Sequence, residues 1–166
     1  MKKLFIIRHA KSSWAISGQP DFLRTLNQRG MQDAPEMAKR LISRQPHIDL
    51  FLSSPATRAK QTCEFFCTEY AKDHSLIHFD ERLYHAPEQM FYKVLEEIKE
   101  EINSVALFSH NPGITDFANS LDTGIRIDDM PTCAIYAIEA DIALWQDFKT
   151  AAKRFLFFDF PKNRKA

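Results

Sequence analysis

The sequence predicts an α/β fold, a three-layer sandwich with a mostly parallel central sheet and helices on both faces. Two observations carry this expectation. Short apolar runs bounded by polar residues alternate with stretches whose apolar residues recur at helical spacing, the pattern of a sheet covered on both sides. Two of the runs, 4–7 (Leu-Phe-Ile-Ile) and 105–108 (Val-Ala-Leu-Phe), are apolar throughout, as strands buried on both faces are.

The first strand, expected over 4–7, opens onto Arg8-His9-Ala10-Lys11-Ser12-Ser13-Trp14. In the next segment Met31, Ala34, Met37, Ala38 and Leu41 share a helical face, with Pro35 implying either a late start or a kink. A strand over 48–52 leads into a second helix marked by Ala59, Cys63, Phe66 and Tyr70. A short strand over 76–79 precedes a third helical stripe, Phe91, Val94, Leu95, Ile98 and Ile102. Strands over 105–108 and 134–138 follow. Residues 141–160 are rich in aromatics without a helical stripe, which reads as a terminal hairpin or edge strand. Pro161 and the basic Lys162-Asn163-Arg164-Lys165 read as a solvated tail.

At 166 residues the chain is expected to form one domain, 1–166, with a core that needs no staples. Hydrophobic content of 45% with 27% charge is ordinary for a folded protein, and four glycines leave little room for low-complexity stretches. Basic and acidic residues balance at 22 each, which argues against a broad nucleic-acid footprint. Cys63, Cys67 and Cys133 form no CxxC pair and read as buried free thiols in a reducing compartment. The apolar run after Met1-Lys2-Lys3 stops at Arg8, too short for a signal peptide, and no segment approaches a membrane span, so the expected address is cytoplasmic.

Three strand exits carry the chemistry, because ligands of open α/β sheets bind beyond the carboxyl ends of the strands. The first delivers Arg8 and His9. At the second, Ser54 reads as an N-cap and Pro55 as the first helical residue, which puts Arg58 one turn into the helix. The third repeats this grammar, with Asn111 capping, Pro112 starting the helix and His110 delivered to the same crevice. Two arginines and two histidines at three exits suit a small dianion. Phosphate fits best: phosphoryl transfer asks for positioning and for positive charge on the equatorial oxygens, which Arg8 and Arg58 supply. One imidazole then attacks phosphorus while the other donates to a phosphoryl oxygen, with no metal or cofactor required.

These segments resemble the histidine phosphatase superfamily, also called phosphoglycerate mutase-like, and within it the short SixA-type phosphohistidine phosphatases. Arg8-His9 is similar to the R-H-G signature, with Ala10 in place of glycine. The resemblance makes His9 the phosphorylated nucleophile, Arg58 the second phosphate-binding arginine of S-S-P-x-x-R-A-x-Q-T, and His110 the second pocket histidine. Residues 21–30 are similar to the D-x-x-R-x-L-x-x-x-G stretch of the SixA branch, which leaves Arg24 either as a donor at the pocket rim or as half of a surface salt bridge. Ser12 and Asn111 join the phosphate-binding candidates. The asparagine that mutases carry three residues beyond their first-loop serine is absent, since Ala15 stands there.

Larger relatives use a glutamate to protonate the leaving oxygen. Glu81 occupies the comparable region here, and it reads either as that acid, if burial raises its pKa, or as a cap or salt-bridge residue. His85 reads as a surface or rim residue, and His47, His74 and His78 show no metal spacing. The short span between the second and third motifs leaves little material to roof the pocket. A phosphohistidine-bearing protein is therefore the expected substrate, with inorganic phosphate as product and neither nucleic acid nor membrane as partner. A small-molecule phosphomonoesterase and a non-catalytic phosphate-binding module are the competing readings.

Overall fold

The computed structural model describes residues 1–164. The strands are β1 (Lys2–Arg8), β2 (Leu50–Ser53), β3 (His78–Phe79), β4 (Ser104–Ser109), β5 (Ile135–Ala140) and β6 (Arg154–Asp159). They form one sheet in the order β3-β2-β4-β1-β5-β6. β1, β2, β3 and β4 pair in parallel, and β5 pairs antiparallel with both β1 and β6, so β5 alone opposes the others.

Alternation along β1 explains the three layers. Leu4 and Ile6 point into a core shared with Phe91, Leu95 and Phe117 from helices α3 (Glu88–Glu96) and α4 (Gly113–Ser120). Phe5 and Ile7 point the other way, onto Met37, Leu41 and Phe66 from α1 (Gln28–Arg44) and α2 (Thr57–Glu69). Every one of these side chains is buried, which is why 4–7 carries no polar residue.

Four sequence expectations need adjustment. Helix α1 does not start late: Asn27 caps it by accepting the Gly30 N–H at 2.9 Å, and the helix runs through Pro35. Met31 lies off the buried stripe, 48% exposed. The third stripe predicted helix as far as Ile102, but α3 ends at Glu96. Beyond it the chain tightens into turns, with the Ile98 N–H on Leu95 O and the Ile102 N–H on Lys99 O, both at 3.1 Å, and the Lys2 ammonium and Trp145 indole N–H donate to Ile102 O at 2.9 and 2.8 Å. Ile98 and Ile102 still pack on the core from turns.

The aromatic segment resolves into a 3-10 turn, Trp145–Asp147, and the edge strand β6. The segment after it is not a free tail. Arg40 on α1 donates to the carbonyls of Phe160, Pro161 and Asn163 at 3.0–3.2 Å and holds it against the helix. Lys165 lies outside the described residues. The three cysteines are free and buried. Among the described residues no helix is long and apolar enough to cross a membrane.

Candidate active site

Strand register brings the three exits together. Arg8 of β1 lies beside Ser109 of β4, and Ser53 of β2 lies beside Phe108. Beyond the strands the His9 N–H donates to Ser109 O at 3.1 Å and the Ser54 N–H to Phe108 O at 3.0 Å, so His9, Ser54 and His110 leave the sheet side by side. His9 and His110 open onto a pocket of about 260 Å³ that they line together with Arg8, Lys11, Ser12, Trp14, Asp21, Arg24, Arg58, His85, Asn111 and Thr132.

The local grammar of the second and third exits differs from the sequence reading. Helix α2 begins at Thr57, with Ala56 at the cap position and no side-chain cap, so Arg58 is its second residue. Ser54 is drawn instead into the site, where its Oγ lies 2.7 Å from His110 Nε2 and accepts the Ala56 N–H at 3.3 Å. Asn111 does not cap α4 either. Its Oδ1 accepts from the Thr115 hydroxyl, and its Nδ2 donates to Asp129 Oδ1 at 2.7 Å and Met130 O at 3.2 Å. The Asn111–Pro112 bond is cis, and α4 starts at Gly113. A Cβ at Gly113 would stand 1.8 Å from Ala86 O, so this close approach requires glycine.

The two histidines differ in what their ring nitrogens meet. His9 Nδ1 lies 2.7 Å from Ala10 O. A carbonyl only accepts, so Nδ1 carries the proton and Nε2 keeps its lone pair toward Arg58 Nε, which donates to it at 3.3 Å. Burial, then the guanidiniums of Arg58, Arg8 and Arg24, push the His9 pKa down to about 3 against the bond to Ala10. His9 is thus a neutral imidazole at neutral pH, with its lone pair on Nε2.

His110 faces it with ring centroids 5.1 Å apart, its pKa pushed down to about 2 by burial and then by His9 and Arg58. Ser54 fixes its tautomer. This hydroxyl has no exposed surface and already accepts from Ala56, and among the described residues the acceptor for its proton is His110 Nε2. His110 therefore carries its proton on Nδ1, a buried atom with no hydrogen-bond partner. Arg8 Nε is buried and unpartnered as well. Two unsatisfied buried donors at one pocket are what an anion site presents.

Each arginine is anchored through part of its fork. Arg8 Nη1 donates to Met130 O at 2.8 Å, and burial lowers its pKa against the opposing charge of Asp129. Arg58 donates to Asp21 O at 2.7 Å and Asp21 Oδ2 at 3.0 Å. Arg24 is buried in the pocket wall, donating to Ser12 Oγ at 2.6 Å and Asp21 Oδ1 at 3.1 Å, with the Trp14 ring 3.6 Å from its guanidinium carbon. Both readings of Arg24 hold together: it is ion-paired, and it belongs to the pocket. Ser12 meets the pocket as the acceptor that orients Arg24.

Glu81 is corrected. It is the first residue of the 3-10 turn Glu81–Leu83, where it is exposed while Leu83, two residues on, is buried, and it does not line the pocket. The residue that sequence reasoning missed is Asp21. Its signal was its place at the head of the D-x-x-R stretch, but a carboxylate runs against the charge logic of an anion site. Burial favours its neutral form, yet hydrogen bonds from Tyr84 and Arg24 and the Arg58 charge outweigh this and hold it well below the usual carboxylate range. Lys11, Trp14 and Thr132 were also unassigned, Ser54 was read only as a cap, and His85 sits at the rim as expected.

A phosphatase site is what this arrangement defines: a neutral imidazole with a free Nε2 among guanidiniums at the carboxyl end of a parallel sheet. The chain belongs to the histidine phosphatase superfamily (branch 1), whose sequence model matches residues 4–120. An uncharacterized protein of Mycobacterium leprae is 29% identical over 168 residues, 94% of this chain and 100% of that one. The structure assigned to the phosphohistidine phosphatase SixA of Agrobacterium tumefaciens is 26% identical, with TM-score 0.79 over 96% of this chain and 98% of that one. The protein histidine phosphatase SixA complexed with tungstate has TM-score 0.81 at 23% identity, covering 97% and 98% of the two chains. A mycobacterial glucosyl-3-phosphoglycerate phosphatase complexed with VO3 has TM-score 0.71 at 16% identity, covering 96% and 100%. The last two are alike in fold alone.

Proposed function

We propose that this protein removes phosphate from phosphohistidine on a signalling or phosphotransfer protein, through a phosphohistidine intermediate at His9 and without a metal. The observation that carries the reading is the pairing of His9 Nε2, unprotonated and held toward the pocket, with the Nδ1–H of His110 and the guanidiniums of Arg8, Arg24 and Arg58 around it.

In this reading the guanidiniums and the His110 Nδ1–H hold the phosphoryl oxygens, and their charge offsets what develops in the transition state. His9 Nε2 attacks phosphorus and the bond to the leaving nitrogen breaks. The Ala10 carbonyl, which accepts from Nδ1–H, stabilises the positive charge that the ring gains. Water then attacks the phosphorus and displaces Nε2, which recovers a neutral imidazole and releases inorganic phosphate. A leaving imidazole is a good leaving group once protonated, so less acid catalysis is needed than for an alkoxide.

The open rim supports a protein substrate, since Trp14, which lines the pocket, is 76% exposed. The same fold in a glucosyl-3-phosphoglycerate phosphatase keeps a small phosphomonoester as the second reading. We place the reaction in the cytoplasm, in one domain spanning 1–166, because the three buried free thiols suit a reducing compartment.

The test is rapid quench with a phosphohistidine-bearing protein, followed by peptide mass spectrometry under alkaline conditions. Phosphate on His9 together with accumulating free phosphate is the expected result. An unmodified His9 with no phosphate release from that protein, but turnover of sugar phosphates, selects the small-molecule reading. No turnover of either leaves a phosphate-binding module.

A further inference from the structure

We infer that Asp21 is the proton-transfer residue of this site, protonating the leaving atom as His9 is phosphorylated and then taking the proton of the water that releases the phosphate. The inference rests on the phosphatase reading above.

Placement carries it. Among the described residues that line the pocket, Asp21 is the one carboxylate. It stands within the guanidinium set that holds the phosphoryl group, its Oδ1 3.1 Å from Arg24 Nε and its Oδ2 3.0 Å from Arg58 Nη2. In an in-line displacement the leaving atom departs opposite the nucleophile. His9 is buried on the pocket floor at 5% exposure, whereas the Asp21 side chain is 39% exposed on the open side, where that atom emerges. The Tyr84 hydroxyl donates to Oδ2 at 2.7 Å and steadies the carboxylate there.

The proton comes with the substrate. A phosphoryl dianion spanning Arg24 and Arg58 takes over guanidinium hydrogens that Asp21 otherwise receives and adds negative charge beside it, and both effects raise the carboxylate's affinity for a proton. A substrate arriving as the monoanion passes its proton to Asp21. Nε2 of His9 then bonds to phosphorus, the electron pair of the breaking bond stays on the leaving oxygen or nitrogen, and that atom takes the proton from Asp21. In the second half-reaction water bonds to phosphorus, the N–P pair returns to Nε2, and the water proton goes to Asp21. Four groups face the carboxylate and set its titration: Arg24, Arg58, the Tyr84 hydroxyl, and His85 with Nε2 4.0 Å from Oδ2. His85 is the rival donor.

The experiment compares kcat/KM for wild type, Asp21→Asn, Asp21→Glu and His85→Gln on aryl phosphates whose leaving groups run from dinitrophenol to phenol, and on a phosphohistidine protein. General acid catalysis contributes about 10²–10⁴-fold. Asp21→Asn should therefore lose at least about a hundredfold on phenyl phosphate and less than about tenfold on the dinitrophenyl ester, and Asp21→Glu should recover part of the loss. Inorganic phosphate binding by Asp21→Asn, equal to or tighter than wild type, shows that the pocket is intact. An equal loss on every ester assigns Asp21 to holding Arg58 and overturns the inference, as does a leaving-group-selective loss in His85→Gln instead. Wild type inactive on all these substrates defeats the phosphatase reading and the inference with it.

Discussion

Nε2 of His110 lies 2.7 Å from the hydroxyl of Ser54, a side chain with no exposed surface. The pair decides which nitrogen of His110 carries its proton, and hence whether the pocket meets a donor or a lone pair. Ser54→Ala removes that control and frees the competing tautomer. The loss should be about tenfold in kcat/KM, the size of one hydrogen bond, with KM for phosphate esters moving more than kcat. An unchanged KM and unchanged inhibition by inorganic phosphate would show that Ser54 does not set the tautomer.

His9→Ala should lower turnover by about a thousandfold or more, as nucleophile removal does elsewhere. The fold should survive, because His9 emerges beyond the end of β1 and its backbone N–H bond to Ser109 O remains. Circular dichroism and phosphate release measured on one preparation check both halves.

The pH dependence of stability follows from the two histidines. Their pKa values are near 3 and 2 in the folded protein and about 6.5 in the unfolded chain. Between about pH 3 and 6.5 the unfolded state therefore binds more protons than the folded one, so stability falls as the pH falls through that window. Each histidine contributes a slope of up to about 1.4 kcal/mol per pH unit. Urea melts from pH 7 to pH 4 should show this decline, and His110→Asn should make it shallower. A flat profile would mean that the rings are not held neutral.

Catalysis should carry the same signature with a different midpoint. His9 stays a free base down to about pH 3, so the acid limb of kcat/KM should not break near 6.5 on its account. A break near 6.5, on a substrate with no group titrating there, would mean that His9 is not held neutral.

Gly113→Ala should be strongly destabilising, by about 3 kcal/mol or more, because the added methyl meets the Ala86 carbonyl oxygen, a backbone atom that has no rotamer to move away. The same change should lower activity, since Gly113 opens the helix that follows His110. A melting temperature within a degree or two of wild type would refute the close approach.

The sheet, its two covered faces and the convergence of Arg8, His9, Arg58 and His110 were legible in the chain, because apolar periodicity and strand exits are local properties that each segment carries alone. The D-x-x-R stretch likewise marked Arg24. Tertiary structure decided the rest. Helix α3 stops at Glu96 and tightens into turns, and beyond it Lys2 and Trp145, remote in sequence, hold the Ile102 carbonyl. Ser54 and Asn111 look like helix caps in one dimension, but their side chains gain more from His110, Thr115 and Asp129, which only folding brings near. Glu81 was the acid that the sequence offered, whereas the pocket holds a different carboxylate. Glu81 lies exposed at the start of a 3-10 turn, and Asp21 was brought in by bonds to Arg24, Arg58 and Tyr84. Residue type and spacing specify which groups a site can use, whereas their protonation and partners depend on burial and on neighbours distant in the chain.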